Sequence, residues 1–210
     1  MDRTTKMLLS EAGHTYAEDA GIVLKDQPTA LFKLLVLANL LSNRINSDIG
    51  VAAARELFAA GGGTARGLAR LSWQERVEAL GRAHYVRYDE STSTRLGDMA
   101  EKVMEDYEGD LRKLPQKAGR DAGTAREMLQ AFPGMGPVGA EIFCREAQAI
   151  WLWLRPSFDS IVLKGADRLG LPTDPEGLAE LVDDRELARL ASALVRVAKD
   201  KKLADRLVGG

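Results

Sequence analysis

Cysteine and histidine, two common ligands of transition metals, are almost absent from this sequence. It has one cysteine, Cys144, and two histidines, His14 and His84, which stand far apart in the chain. A single cysteine can neither form a disulfide within the chain nor supply the cysteine ligands of an iron–sulfur cluster. We therefore expect no iron–sulfur cluster and no dedicated transition-metal site.

Long apolar runs are absent as well. No stretch approaches the roughly 18 apolar residues that a membrane-spanning helix needs. The N-terminal segment MDRTTKMLLSEAGH has too short an apolar part for a secretory signal. We therefore expect a cytoplasmic protein, associated with the nucleoid if it binds DNA, that has no membrane partner.

A basic excess, frequent in proteins that bind nucleic acids, is also missing, because the net charge is −2. The acidic residues, however, cluster in segments 101–110 and 173–186, while many arginines and lysines lie elsewhere. Affinity for a polyanion depends on where the charges lie, so an acidic back and a basic cleft are compatible with this composition.

Apolar residues recur at spacings of three and four along most of the chain, and no extended alternation typical of strands is present. The fold is therefore predicted to be all-α, with two helical lobes and a cleft between them. We expect one lobe to combine residues 1–51 with 150–210 and the central lobe to span residues 52–149. Predicted helices are Thr29–Asn43, one that opens at Ser47, one capped by Ser72 and Glu75, Ser91–Tyr107, Asp121–Ala131, Pro137–Ala149, Asp159–Leu169 and Arg185–Lys201.

The most informative segment is Leu129–Ala140, which reads LQAFPGMGPVGA. Proline ends the first helix after Phe132, the following glycines permit positive φ, and Pro137 suits the first turn of a new helix. Such a hairpin leaves backbone N–H groups at a helix N-terminus, where a phosphate can bind. An ordinary turn between two helices is the alternative for a lone Pro-Gly-x-Gly motif.

Two kinds of ligand are predicted for this hairpin. A DNA phosphate is expected at its residues Gly134, Met135, Gly136, Val138 and Gly139. The backbone carbonyls of Gln130, Phe132 and Met135, on the other side of the hairpin, are candidates to hold a monovalent cation such as K⁺ or Na⁺.

Asp159 opens the predicted helix that follows a short apolar run after the hairpin. Taken alone, an aspartate at this place is typical of a helix N-cap. Together, the hairpin and the segment Phe158–Leu171 resemble the helix–hairpin–helix DNA glycosylase superfamily, which includes endonuclease III and the alkylpurine glycosylases. The resemblance rests on the Pro-Gly-Met-Gly hairpin and on the Phe-Asp-Ser-Ile-Val…Arg-Leu-Gly segment, and more weakly on Phe32–Phe58 and Trp73–Met104.

The resemblance implies that Asp159 is the catalytic carboxylate of a DNA glycosylase and that double-stranded DNA is its partner. A carboxylate stabilises the positive charge that develops on the sugar when an N-glycosidic bond breaks, and it can orient the attacking water. The base must first leave the duplex. The expected enzyme is a monomer, and Lys164, one turn beyond Asp159, is a candidate phosphate contact.

The sequence departs from the family at three places. Val138 stands where bifunctional members have the lysine that attacks the sugar, so the resemblance implies a monofunctional glycosylase or the use of another lysine. The cysteines of the family's iron–sulfur cluster are absent. Ile161 replaces a histidine that follows the aspartate. A DNA-binding or lesion-binding protein without catalysis is therefore the alternative, and a generic helical interaction protein is a third hypothesis.

Five further residues are candidates for contact with the flipped nucleotide. Arg44 lies near the position from which the family fills the gap left by the base, or it is a solvated arginine at a helix end. The base pocket is predicted to be lined by His84, Tyr85, Tyr88 and Trp151, for which a structural cluster is the alternative.

Overall fold

The computed structural model describes residues 2–209, which form helices and turns but no β-strand. The all-α prediction is thereby confirmed. The α-helices are α1 (Arg3–Ala12), α2 (Tyr16–Asp19), α3 (Pro28–Ser42), α4 (Ser47–Leu57), α5 (Ala65–Arg70), α6 (Trp73–Arg82), α7 (Asp89–Tyr107), α8 (Lys113–Lys117), α9 (Ala122–Gln130), α10 (Gly136–Ala147), α11 (Ser160–Arg168), α12 (Pro175–Ala179), α13 (Leu187–Lys199) and α14 (Lys201–Gly209). A π-helical turn, Phe58–Gly62, extends α4, and 3₁₀ turns occupy Leu152–Leu154 and Asp184–Glu186.

Local capping signals in the sequence fix several of these boundaries. The Ser72 side chain accepts the Glu75 N–H at 3.2 Å, and the Glu75 carboxylate accepts the Ser72 N–H at 2.7 Å. This reciprocal capping box satisfies two N–H groups that have no partner within α6, and it confirms the prediction. The apolar run Trp151–Leu154, whose period was ambiguous, contains the first 3₁₀ turn. Among residues 2–209, no helix is both long and apolar enough to cross a membrane.

Within residues 2–209 the helices group into two units, one of residues 2–16 and 144–209 and one of residues 17–143. We call them the terminal unit and the central unit. The helix α3 belongs to the central unit, where it packs against α4 and α7. The sequence analysis placed the boundaries between the two lobes after residues 51 and 149, whereas these units divide after residues 16 and 143. The predicted lobes stay a prediction.

The core of the central unit is built around α3. Its Leu31, Leu34, Leu35 and Leu37 are fully buried, because this helix is apolar on nearly all faces and other helices cover it on several sides. The hairpin between α9 and α10 belongs to the same unit, and its Phe132 ring lies 5.7 Å from the ring of Tyr107 in α7. Phe132 thereby anchors the first half of the hairpin in this core.

The terminal unit is built around α13, which packs against α1 and α11. A Cβ at Gly165 would lie 2.0 Å from the backbone carbonyl oxygen of Leu194, so α11 can approach α13 this closely only because residue 165 is glycine. Arg168 extends the contact by donating from Nη1 to the Val197 carbonyl at 2.8 Å, near the end of α13. The packing of α11 on α13 sets the position of Asp159 at the start of α11.

Candidate functional site

The hairpin between α9 and α10 is held by two glycines with positive φ. Gly134 has φ +79° and Gly136 has φ +53°, a region that favours glycine. The Met135 N–H donates to the Phe132 carbonyl at 3.1 Å, and the Gly139 N–H donates to the Met135 carbonyl at 2.9 Å. The chain thus reverses over four residues, as the sequence predicted, and enters α10 at Gly136, one residue before the predicted start of this helix at Pro137.

Side chains of α3 hold the hairpin from outside. Asn39 donates from Nδ2 to the Pro133 carbonyl at 2.9 Å, and Ser42 donates from Oγ to the Gly134 carbonyl at 3.4 Å. Asn39 is buried. A Cβ at Gly134 would lie 2.8 Å from Asn39 Nδ2 and 3.0 Å from Arg95 Cδ. The hairpin is therefore a braced structure, and Gly134 is needed both for its φ and for the approach of these side chains.

Two backbone N–H groups at the start of α10 remain available. Within residues 2–209, neither the Gly136 nor the Val138 N–H has a hydrogen-bond partner, and Pro137 has no N–H. Val138 is 59% exposed, so the surroundings of these groups are open. Unpaired N–H groups at a helix N-terminus can bind an anion. The Gly139 N–H is already bonded, and the side chain of Met135 is buried, so Met135 presents only its backbone.

Asp159 is the N-cap of α11. Its backbone is extended, and its Oδ1 accepts the Val162 N–H at 3.2 Å. The structural role that the sequence suggested for Asp159 is thus confirmed. The catalytic role that the resemblance implies stays a prediction. It is compatible with capping, because a capping carboxylate keeps lone pairs for other partners.

Arg145 forms an ion pair with Asp159. The Arg145 Nη1 donates to Asp159 Oδ2 at 2.8 Å, and the two side chains are 3% and 13% exposed. The Arg145 Nε is buried and has no hydrogen-bond partner in the described part of the chain. Because one guanidinium nitrogen and one backbone N–H bind different oxygens of the carboxylate, Asp159 has a defined orientation.

Lys199, near the end of α13, adds a second positive charge to this region. Although much of the residue is exposed, burial around its ammonium group lowers the pKa of Lys199. The charge of Arg145 lowers this pKa further, and the carboxylate of Asp159 opposes the shift. The carboxylate of Asp159 therefore lies near two positive charges, those of Arg145 and Lys199.

Gln148 fixes the segment that leads to Asp159. Its side chain accepts the Ser157 N–H at 2.9 Å and donates to the Ser157 carbonyl at 3.1 Å, and all of these groups are buried. A side-chain amide that pairs with both backbone groups of one residue acts like a neighbouring strand. The extended backbone ahead of α11 is therefore held by Gln148, which follows the last residue of α10, even though this backbone belongs to no regular element.

The remaining predicted residues divide between surface and core. Arg44 and Lys164 are exposed, as residues that contact DNA would be. Tyr85 is fully buried, its hydroxyl accepts a hydrogen bond from Asn43 Nδ2 at 2.8 Å, and burial raises its pKa. Tyr85 thus belongs to the core of the central unit, as the structural alternative held. Trp151 is also buried, stacked at 5.7 Å on Trp153.

His84 and Tyr88 flank Tyr85 in different environments. His84 is exposed and has φ +60°, and its N–H and the Tyr85 N–H bond to the Gly81 and Leu80 carbonyls, which ends α6. Tyr88 is half-buried with the Arg87 guanidinium 5.2 Å from its ring centroid. Of the proposed pocket residues on this segment, only these two keep exposed surface that a base could contact.

Sequence reasoning missed Arg145, Asn39 and Gln148 as site residues. Arg145 lies in the run Arg-Glu-Ala-Gln, which looks solvent-exposed, yet every residue of that run is buried. The available signal was the length of the apolar segment before it, since Ile142, Phe143 and Cys144 leave no polar face for the helix to expose.

Among residues 2–209, no group of three or more histidine, cysteine, aspartate or glutamate side chains is arranged to hold a metal ion.

The fold of this chain is that of endonuclease III. It is similar to a trapped endonuclease III–DNA covalent intermediate, an estranged-adenine complex, with 16% identity, a TM-score of 0.55, and coverage of 92% of this chain and 80% of that one. It is equally similar to a non-covalent endonuclease III–DNA complex, with 16% identity, a TM-score of 0.57 and the same coverage. No protein-family model and no curated protein matches the chain.

Proposed function

We propose that this protein is a monomeric DNA N-glycosylase that releases a damaged or mismatched base from double-stranded DNA. The observation that carries the proposal is the oriented carboxylate of Asp159 in a fold shared with endonuclease III. Endonuclease III is bound to DNA in both similar structures. A fold alone does not determine an activity, so the proposal rests on the residues that the fold carries.

The hairpin supports DNA binding in this proposal. A DNA phosphate would accept hydrogen bonds from the Gly136 and Val138 N–H groups, whose position is fixed by the two positive-φ glycines. Contacts between backbone amides and phosphates position a duplex without reading its sequence. The exposed Arg44 and Lys164 are the proposed side-chain contacts, Arg44 at the gap left by the base and Lys164 at a phosphate.

Asp159 supplies the chemistry in this proposal. When the N-glycosidic bond of an extruded nucleotide breaks, positive charge develops on the sugar, and a fixed carboxylate nearby lowers the energy of that state. The same carboxylate can orient the attacking water through the lone pairs that Val162 and Arg145 leave free. Val138 has no amine, so the product would be an abasic site in an uncut strand unless another lysine attacks the sugar.

A protein that binds DNA or lesions without releasing a base is the second candidate. The observation that favours it is that both oxygens of Asp159 already accept hydrogen bonds, one of them from a guanidinium. A carboxylate whose charge is partly neutralised stabilises a developing cation less well. The two candidates share the hairpin and differ in what happens to the base.

Incubation with labelled duplexes that carry alkylated, deaminated, oxidised or mismatched bases distinguishes the candidates. We expect strand scission only after alkali treatment for at least one of these duplexes, since alkali cleaves the abasic site that base release leaves. Scission without alkali, together with borohydride trapping, would identify a lysine nucleophile, and Lys199 would be examined first. Salt-dependent binding without any base release would favour the binding protein.

Gly134→Ala is expected to weaken binding to duplex DNA by about tenfold at fixed salt. An alanine here would be strained by its positive φ, and its Cβ would come too close to Asn39 and Arg95, so the hairpin must move. The measurement is fluorescence anisotropy with an undamaged duplex. Gly119→Ala is the matched control: Gly119 has φ +61° and nothing within 4 Å of its would-be Cβ. Equal affinities of the two variants would contradict a role for the hairpin in DNA binding.

A monovalent cation at the hairpin also remains a proposal. The carbonyls of Phe132 and Met135 each accept one backbone N–H, and a carbonyl oxygen has a second lone pair. Together with the carbonyl of Gln130 they would coordinate K⁺ or Na⁺, which would hold the hairpin in the shape that binds phosphate.

A further inference from the structure

Arg145 is buried at a cost that the stability of the protein does not explain. Its side chain is 3% exposed, and its Nε has no hydrogen-bond partner among the described residues. Removing a guanidinium from water is costly, and an unpaired buried N–H adds to that cost. Unsatisfied polar groups of this kind are uncommon in native proteins and need a reason.

Capping of α11 gives no such reason. The Val162 N–H is satisfied by Asp159 Oδ1 alone, and asparagine or serine at an N-cap stabilises a helix about as well as aspartate does. Neither of those residues would need a buried cation beside it. A buried arginine beside residue 159 is therefore explained only if this residue must be a carboxylate and must keep one orientation.

We propose that Arg145 is a positioning residue that fixes the carboxylate of Asp159 for base release, an inference that rests on the proposed function. The Val162 N–H holds Oδ1 and the Arg145 Nη1 holds Oδ2, so the carboxylate cannot rotate freely. An ionised carboxylate accepts about four hydrogen bonds. The acceptor sites that remain, in fixed directions, serve the developing positive charge and the attacking water.

The positive charge of Arg145 has an effect opposite to that of positioning, because it weakens the attraction of Asp159 for a cation. It reduces the electric field of Asp159, so a residue that only neutralised the carboxylate would weaken the attraction of Asp159 for a cation. Removal of Arg145 would then strengthen that attraction. Positioning predicts the opposite, because a carboxylate free to rotate meets the cation less often in the right geometry. The sign of the effect therefore separates the two roles.

The test compares the affinities of the protein for two duplexes with uncleavable abasic-site analogues. One duplex carries a positively charged pyrrolidine ring in place of the sugar, and the other carries a neutral tetrahydrofuran ring. The ratio of the two affinities measures how well a carboxylate is placed against positive charge, without any base release. We expect the wild type to prefer the charged analogue by about tenfold or more.

Arg145→Met is expected to remove most of that preference, so that its ratio of affinities is close to that of Asp159→Asn. Arg145→Lys is expected to have a ratio between those of the wild type and Arg145→Met, because an ammonium lacks the planar geometry of guanidinium. Arg126→Met is the control, since it breaks another partly buried pair, Arg126–Glu141 at 2.9 Å, and it should leave the ratio unchanged. Circular dichroism verifies folding of each variant. If Arg145→Met does not fold, the ratio of Arg145→Lys decides alone.

The outcomes separate this inference from the function on which it rests. A preference that is present in the wild type, lost in Asp159→Asn and kept or increased in Arg145→Met would overturn the positioning role and leave the proposed function standing. A wild type without preference, equal to Asp159→Asn, would mean that Asp159 does not face the sugar. That result would overturn the proposed role of Asp159 and the positioning role together.

Discussion

Asp159→Asn is expected to lower the rate of base release by about a hundredfold to a thousandfold, the range found when one fixed electrostatic contact to a transition state is removed. The amide keeps the size of the side chain and can still accept the Val162 N–H, so α11 keeps its cap. The rate is measured by single-turnover kinetics on the modified or mismatched duplex from which the wild type releases a base. Base release near the wild-type rate would exclude Asp159 as the catalytic carboxylate.

DNA binding should survive this substitution. The phosphate contacts proposed for the hairpin do not involve Asp159, and the loss of one negative charge can only favour a polyanion, so the affinity should stay within about threefold of wild type or increase. The variant should lose stability, because the Arg145 guanidinium loses its counter-charge, and removing one member of a buried pair costs about 3–5 kcal/mol. Kinetics must therefore be measured well below the melting temperature of the variant.

Asp167→Asn provides the matched control. Asp167 lies on the same helix and is exposed, so its substitution changes the net charge of α11 equally without touching the Asp159 carboxylate. We expect unchanged stability and an unchanged rate of base release. A comparable loss of rate in Asp167→Asn would indicate that the charge of the helix matters and that the position of Asp159 does not.

The parts of this protein that sequence reasoning predicted are local ones. Helices with a clear apolar stripe, the capping box at Ser72 and the hairpin at Gly134 and Gly136 each depend on residues within a few positions of one another. Their physical causes, backbone conformation and satisfaction of terminal N–H groups, can be read from a short segment. The N-cap role of Asp159 was predictable for the same reason.

The parts that sequence reasoning missed depend on packing between distant segments. Asn39 braces the hairpin across 94 positions of the chain, and Arg145 binds Asp159 across 14. Burial decides such contacts, and burial of a polar residue is set by which helices cover it. Tyr85 illustrates the same limit, because its ring is buried in the core while its neighbour His84 is exposed.

Gly165→Ala is the second large effect, this time on stability. The added Cβ would lie 2.0 Å from the Leu194 carbonyl oxygen and 2.7 Å from the Leu194 carbonyl carbon, both backbone atoms of α13. No side-chain rotation relieves such a contact, so α11 must move away from α13. We expect a loss of about 3 kcal/mol or more, at the upper end of overpacking effects, and a melting temperature lower by about 6–12 °C.

The sign of this effect opposes helix propensity, which makes the experiment sharp. Alanine in a helix is favoured over glycine by about 1 kcal/mol, so a change without the contact to α13 would stabilise the protein. Gly81→Ala in α6 provides that control, since nothing lies within 4 Å of its would-be Cβ, and it should raise the melting temperature slightly. Thermal denaturation of the two variants, followed by circular dichroism, measures both effects.

The displacement of α11 should also affect function, because Asp159 caps that helix. With α11 moved, Asp159 Oδ2 no longer meets the Arg145 Nη1 at 2.8 Å, and a shift of about 1 Å in a catalytic group can lower a rate about a hundredfold. We expect Gly165→Ala, measured where it is folded, to release the base more slowly while binding undamaged DNA normally. Normal base release by the folded variant would show that the approach of α11 to α13 serves stability alone.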